Sequence, residues 1–138
     1  MRLLKINFFL ILIYSNVLAG TNYFNEGLTF YQNKQFNKAK FKFEQDIVFN
    51  PKNEKSYLYL SKIFKEQEKK ELEEKNLNTV ILLNPKNEEA TYNLAQLKLQ
   101  ESDFKESKSL LDKLLMFCKE YCEKSQKLKV EVENSLKK

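Results

Sequence analysis

The pentapeptide Asn50-Pro51-Lys52-Asn53-Glu54 returns 34 residues later as Asn84-Pro85-Lys86-Asn87-Glu88, and the two copies hold the only prolines of the 138-residue chain. A fixed period of this length marks an array of stacked units, each too small to bury its apolar side without a neighbour. Proline stops the helix before it and is followed by a fresh start, so each copy marks a boundary between helices. Only two glycines accompany the two prolines, while Lys, Glu, Leu, Gln and Asn abound, so hairpins are disfavoured and the units are helical. The pattern predicts helices over 22–33, 37–49, 54–67, 70–83, 88–101, 104–117 and 121–137. Asn53 and Asn87 stand just ahead of Glu54 and Glu88-Glu89, where an amide can cap a helix start and a carboxylate meets the positive end of the helix.

Within residues 20–53, Gly27 is followed by Phe30, Phe36, Ala39, Phe43 and Pro51, and over its whole length this segment resembles a tetratricopeptide repeat. Residues 88–121, with Tyr92-Asn93-Leu94-Ala95, Phe104, Ser107 and Leu111, resemble it too. Residues 54–87 keep Tyr57, Leu60, Ser61, Phe64, Leu77 and Pro85 but place Lys70 where an aromatic is usual and Glu73 where alanine is usual. The resemblance implies an all-α fold, a right-handed alpha-alpha superhelix (TPR solenoid) of about three helix-turn-helix repeats. These are about 20–53, 54–87 and 88–121, and a capping helix at about 121–137 closes them, with Leu128, Val130 or Val132, and Leu136 on its apolar side. Gly27 and Ala39 let two helix backbones approach closely, with phenylalanines filling the space around the crossing. Asp46 stands where the family usually has alanine, so some splaying or a change of register is expected there. A buried Glu73 is costly, which predicts either a shifted turn that brings Leu72 inward or a local straightening through Lys65 to Lys75.

The first residues differ in kind. Arg2 and Lys5 precede the apolar run Phe8 to Tyr14, and Val17 and Ala19 suit a small-residue cleavage site, which is the layout of a secretory signal peptide over 1–19. The apolar run is short for a membrane span. An uncleaved anchor in the inner membrane and a buried first helix are the other readings of this segment. Thr21 stands where a lipoprotein would carry its acylated cysteine, so the expectation is an exported protein of the periplasm or the medium. Cleavage would remove Arg2 and Lys5 and no acid, so part of the net charge of +5 belongs to the leader.

With no histidine in the chain, the usual general base, the commonest metal ligand and the Ser-His and Cys-His nucleophile pairs are all missing. Adjacent acids such as Glu73-Glu74 and Glu88-Glu89 splay to different sides of a helix and do not converge on a substrate. No catalytic residue, metal site, cofactor or small-molecule substrate is predicted. Nucleic acid is not an expected partner either, because the lysines are interleaved with glutamates and the only arginine, Arg2, lies in the leader. Cys118 and Cys122 are an even pair, four apart, at the junction of the last repeat and the capping helix. In an oxidising compartment they are expected to form a disulfide that clips the cap onto the array; buried or free thiols are the other state open to them.

Repeat arrays present the first helix of each unit along a concave surface. The family's groove positions fall here on Phe24, Leu28 and Tyr31, then Lys55, Leu58, Lys62 and Lys65, then Tyr92, Gln96 and Leu99. An apolar and aromatic strip with a basic centre suits a peptide or helix that carries hydrophobic anchors and an acidic group. Leu28 occupies the place of the asparagine used by carboxylate-clamp members, so a chaperone tail is not predicted. The expected function is a non-enzymatic interaction scaffold of the cell envelope that binds a segment of a partner protein. The alternative is a self-assembling structural repeat protein in which an incompletely covered face pairs with another copy.

Overall fold

The computed structural model describes residues 22–137, and among these all regular structure is helical. The elements are α1 (22–32), α2 (Phe36–Phe49), α3 (Glu54–Glu66), α4 (Lys70–Leu83), α5 (Glu88–Gln100), α6 (Phe104–Leu115) and α7 (Cys122–Ser135). The spans expected from the sequence agree with these to within two residues at either end. The leader, 1–19, lies outside the described residues. The chain divides into two compact units, one through Leu60 and one from Ser61, with α3 contributing to both.

A second periodic feature underlies the first. Lys34, Glu68 and Ser102 have φ of 57°, 55° and 62°, and they recur at the 34-residue spacing. Each ends the first helix of a pair in the left-handed region, and the following residue's amide reaches back five residues: Gln35 to the Phe30 carbonyl, Lys69 to Phe64, Asp103 to Lys98. These are Schellman closures that consume the free carbonyls of α1, α3 and α5. None of the three is glycine, so the breaks expected from the helix period are present but their left-handed closure carries no glycine marker in the sequence. The next helix then starts with unequal help. Asp103 accepts from the Glu106 amide, whereas neither Gln35 nor Lys69, at the matching places, caps with its side chain.

In the first unit the close crossing falls where the sequence placed it. A Cβ on Gly27 would lie 2.7 Å from the Phe43 ring, and Ala39 and Phe43 are fully buried. Asp46, where splaying or a change of register is expected, is fully buried as well. Its carboxylate accepts from Asn50 Nδ2 at 3.2 Å, from Asn53 Nδ2 at 2.7 Å and from the Ser56 hydroxyl, so the charge is absorbed by the turn that joins α2 to α3. A buried carboxylate is tolerable when several donors solvate it in place of water.

In the second unit α5 packs against α4, α6 and, more lightly, α7, while α7 lies along α6. Ile63, Leu77, Val80, Leu94, Leu97, Leu111, Leu114 and Val132 make the core. Ser107 is buried and donates to the Ala95 carbonyl at 2.7 Å, which fastens α6 to α5 at their crossing. Neither expected response to Glu73 occurs. Glu73 keeps the inward position at 5% exposure, Leu72 is 39% exposed, and the turn between α3 and α4 has the same geometry as its counterparts. Burial pushes the Glu73 carboxyl above its ordinary range, Lys65 opposes this, and Glu101 adds to it. Lys98 bridges Glu74 at 2.6 Å and Glu101 at 3.1 Å, tying α4 to α5.

The capping helix is held at both ends of its contact with the array. Glu88, at the start of α5, accepts the backbone amides of Lys119, Glu120 and Tyr121 at 2.8–2.9 Å. Beside that grip, Cys118 and Cys122 form the disulfide. Further along, Lys129 of α7 meets Asp112 of α6 at 2.6 Å. Leu128 and Val132 are buried, whereas Val130 and Leu136 are 49% and 44% exposed; the apolar stripe is therefore narrower than the sequence suggested and uses Val132, not Val130.

Candidate functional site

In the first unit, Phe24, Leu28 and Tyr31 of α1 are half-buried. Tyr59, which the groove pattern did not single out, gathers the aromatics: its ring centroid lies 6.0 Å from Phe24, 5.0 Å from Tyr31 and 5.2 Å from Phe43. Phe24 and Tyr31 thus keep one side of each ring in the packing and one side toward solvent. Lys55 is exposed. Leu58 corrects the sequence reading: at 8% exposure it belongs to the core and has little surface left with which to meet a partner. A cleft of about 620 Å³ opens in this unit beside Phe24, Phe49, Pro51 and Asn25.

In the second unit three of the predicted residues, Lys65, Gln96 and Tyr92, come together. Lys62 on α3 pairs with Glu89 on α5 at 2.7 Å. One turn on, Lys65 donates to Gln96 Oε1 at 3.4 Å, and the Gln96 amide in turn donates to the Tyr92 hydroxyl at 3.3 Å. The Tyr92 ring meets Tyr121 edge to face with centroids 5.4 Å apart, and Lys124 of α7 sets its ammonium 3.7 Å from the Tyr121 centroid and 5.6 Å from that of Tyr92. Burial raises both phenols above their ordinary range. The negative charge of Glu131 adds to this at Tyr92, and those of Glu89, Glu120 and Glu88 add to it at Tyr121. Leu99, on the same helix, is half-buried.

Of the basic centre expected from Lys55, Lys62 and Lys65, Lys62 is neutralised by Glu89 of α5, while Lys65 meets the neutral side-chain amide of Gln96. Tyr121 and Lys124 were missing from the sequence-derived set because their placement depends on how α7 docks, which no local pattern encodes. The one available signal was the position of Tyr121 inside the Cys118–Cys122 loop. Among the described residues no group of three or more His, Cys, Asp or Glu could hold a metal ion, and no helix is long and apolar enough to cross a membrane.

A left-handed turn and a helix restart, each recurring at 34 residues, define an αα-hairpin repeat protein. Its fold is that of a tetratricopeptide-repeat domain. The TPR domain of Arabidopsis OM64 superposes with a TM-score of 0.74 at 19% identity, covering 86% of this chain and 98% of that one. The first TPR of Spaghetti (RPAP3), bound to the HSP90 peptide SRMEEVD, gives 0.77 at 13% identity, covering 86% and 94%. The TPR2B domain of yeast Sti1, in complex with pHsp70, gives 0.77 at 11% identity, covering 85% and 98%. No protein-family model matches the sequence, and none of the curated proteins does.

Proposed function

We propose that this protein is a non-enzymatic interaction module of the cell envelope, which holds a peptide or helical segment of a partner protein on the α3–α5 face of its second unit. The observation that carries the reading is the line formed by the exposed Lys65 and the half-exposed Gln96, Tyr92 and Tyr121 across α3, α5 and the start of α7. Aromatic rings fixed on one side and open on the other are typical anchors for a partner. Two proteins of the same fold were solved with a chaperone partner, an HSP90 peptide in one and pHsp70 in the other, which supports peptide binding as the kind of work this fold does. Export is supported by the leader pattern of residues 1–19 and by the disulfide, which suits an oxidising compartment.

Photo-crosslinking in the producing cell tests this, with the probe at Gln96 and a control at the exposed Ser109 on α6. A discrete adduct with another protein at Gln96 alone is expected. Equal labelling at both sites, or none at Gln96, removes the reading. Fractionation with terminal sequencing tests the location: a chain that begins at Gly20 in the periplasm or medium is expected, and a full-length chain confined to the cytoplasm overturns it.

One observation favours a second reading, self-association. Phe41 and Val48 of α2, seven residues apart and so on one side of the helix, are 57% and 74% exposed, apolar surface that a second copy would cover. Light scattering across a concentration series decides it, since a constant monomer mass at millimolar protein excludes a structural oligomer.

A further inference from the structure

The geometry points to a cation-binding corner at the junction of α5 and α7, formed by the rings of Tyr92 and Tyr121, which takes the arginine side chain of a partner segment in the place that Lys124 now fills. This rests on the docking reading above and names the chemistry of one anchor within it. The chain displays the interaction on itself. The Lys124 ammonium lies 3.7 Å from one ring centroid and 5.6 Å from the other, and the two rings meet edge to face, so a cation finds two aromatic walls at once.

Charge around the corner has the matching sign. Glu89, Glu120 and Glu88 act on Tyr121, and Glu131 acts on Tyr92. Glu88 is held by three backbone amides and Glu89 by Lys62, which leaves Glu120 and Glu131, both on exposed positions, to meet an incoming charge. An acidic anchor, as expected from the groove lysines Lys55, Lys62 and Lys65, would face these carboxylates if it entered this corner.

Lys124 is a replaceable occupant. It is exposed, and its ammonium moves to water when displaced, where it is strongly hydrated. A guanidinium suits the corner better than an ammonium because it is planar, is less strongly hydrated, stacks on a phenol ring and still presents N–H groups to a neighbouring carboxylate. The rings themselves are prepositioned: Tyr92 is braced by Gln96, and Tyr121 by the grip of Glu88 on its backbone amide.

The test is a titration of the full chain with Nα-acetylarginine amide, followed by the ring proton shifts of Tyr92 and Tyr121, with Nα-acetylglutamine amide as the uncharged control. Saturable shifts at both rings with the arginine probe only are expected. Lys124→Ala vacates the corner without touching the core and should tighten binding by about two- to five-fold, the strength of one exposed cation-aromatic contact. Glu131→Gln should weaken binding and lower its sensitivity to salt, and Tyr121→Leu should abolish it while α7 remains helical. Absence of saturation in both the natural chain and Lys124→Ala, or equal shifts with the glutamine probe, overturns the proposal. A partner adduct at Gln96 alongside no saturation by arginine would keep the docking face and remove the cationic anchor, so the two readings fail separately.

Discussion

At the scale of single residues, the chain contains its own control for the buried carboxylate. Asp46, Asn50, Asn53 and Ser56 correspond, 34 residues on, to Val80, Asn84, Asn87 and Ala90. The second junction thus keeps the asparagines but exchanges the acid and its hydroxyl donor for two apolar groups, with Asn87 capping the Ala90 amide at 2.9 Å. Removing one partner strands the other, whereas removing both is nearly neutral. Asp46→Val alone should cost about 1–3 kcal/mol, and adding Ser56→Ala should recover most of it; denaturant melts that show simple additivity would contradict this. Glu73 behaves differently, because burial raises its carboxyl above the ordinary value of 4.5, so the folded chain holds that proton more tightly than the unfolded chain. Its effect on stability is therefore smallest at acid pH and becomes a growing penalty as pH rises through the raised value. Glu73→Gln keeps the shape without the titration and should raise the melting temperature at neutral pH by about 2–5 °C. The same variant should flatten the thermal stability curve between acid and neutral pH, and parallel profiles for the two proteins would contradict this.

At the scale of elements, the helix pairs are closed by residues that dislike the conformation they adopt. Left-handed backbone costs an ordinary residue about 1–2 kcal/mol, and glycine's extra freedom in the unfolded chain returns about half of that, so the balance favours glycine. Lys34→Gly, Glu68→Gly and Ser102→Gly should each stabilise by about 0.5–1 kcal/mol, nearly additively, in chemical denaturation. A loss at any of the three would show that its side chain contributes more than its backbone strain costs. Helix positions were legible because the apolar period and the Asn-Pro boundaries are local properties of the chain. The breaks between paired helices were legible as gaps in that period, but their left-handed closure was not, because the usual marker, glycine, is absent and the closure is enforced by the helices on either side.

At the scale of the whole molecule, the second unit ends on a helix that is fastened and not merely packed. Closing the short Cys118–Cys122 loop contributes about 2 kcal/mol by the chain-entropy estimate, so Cys118→Ser with Cys122→Ser should lower stability by that order. The amide bond from Tyr121 is the first cause that lowers the Glu88 carboxyl below 4.5, with those from Glu120 and Lys119 adding to it. Because the folded value is the lower one, the grip is fully present above about the ordinary carboxylate range and is lost as pH falls through the lowered value. Hydrogen exchange at the amides of residues 119–121 should accelerate in Glu88→Gln at neutral pH, with α4 unchanged; unaltered exchange would mean that the disulfide alone holds the loop.

Period, helix spans, the Gly27 crossing, the cysteine pair and most of the candidate surface could be read from the sequence, since each follows from spacing along a helix or a boundary. Docking of α7 could not. Its effect on Tyr92, the arrival of Tyr121 and Lys124 beside that ring, the Glu88 grip and the inward choice of Val132 over Val130 depend on contacts between residues some 30 positions apart. Leu58 shows the same division, because its place in the repeat follows from spacing whereas its burial, at 8% exposure, does not. Local pattern specifies which side of a helix is apolar; how much of that side stays open to a partner is decided when the helices close against one another.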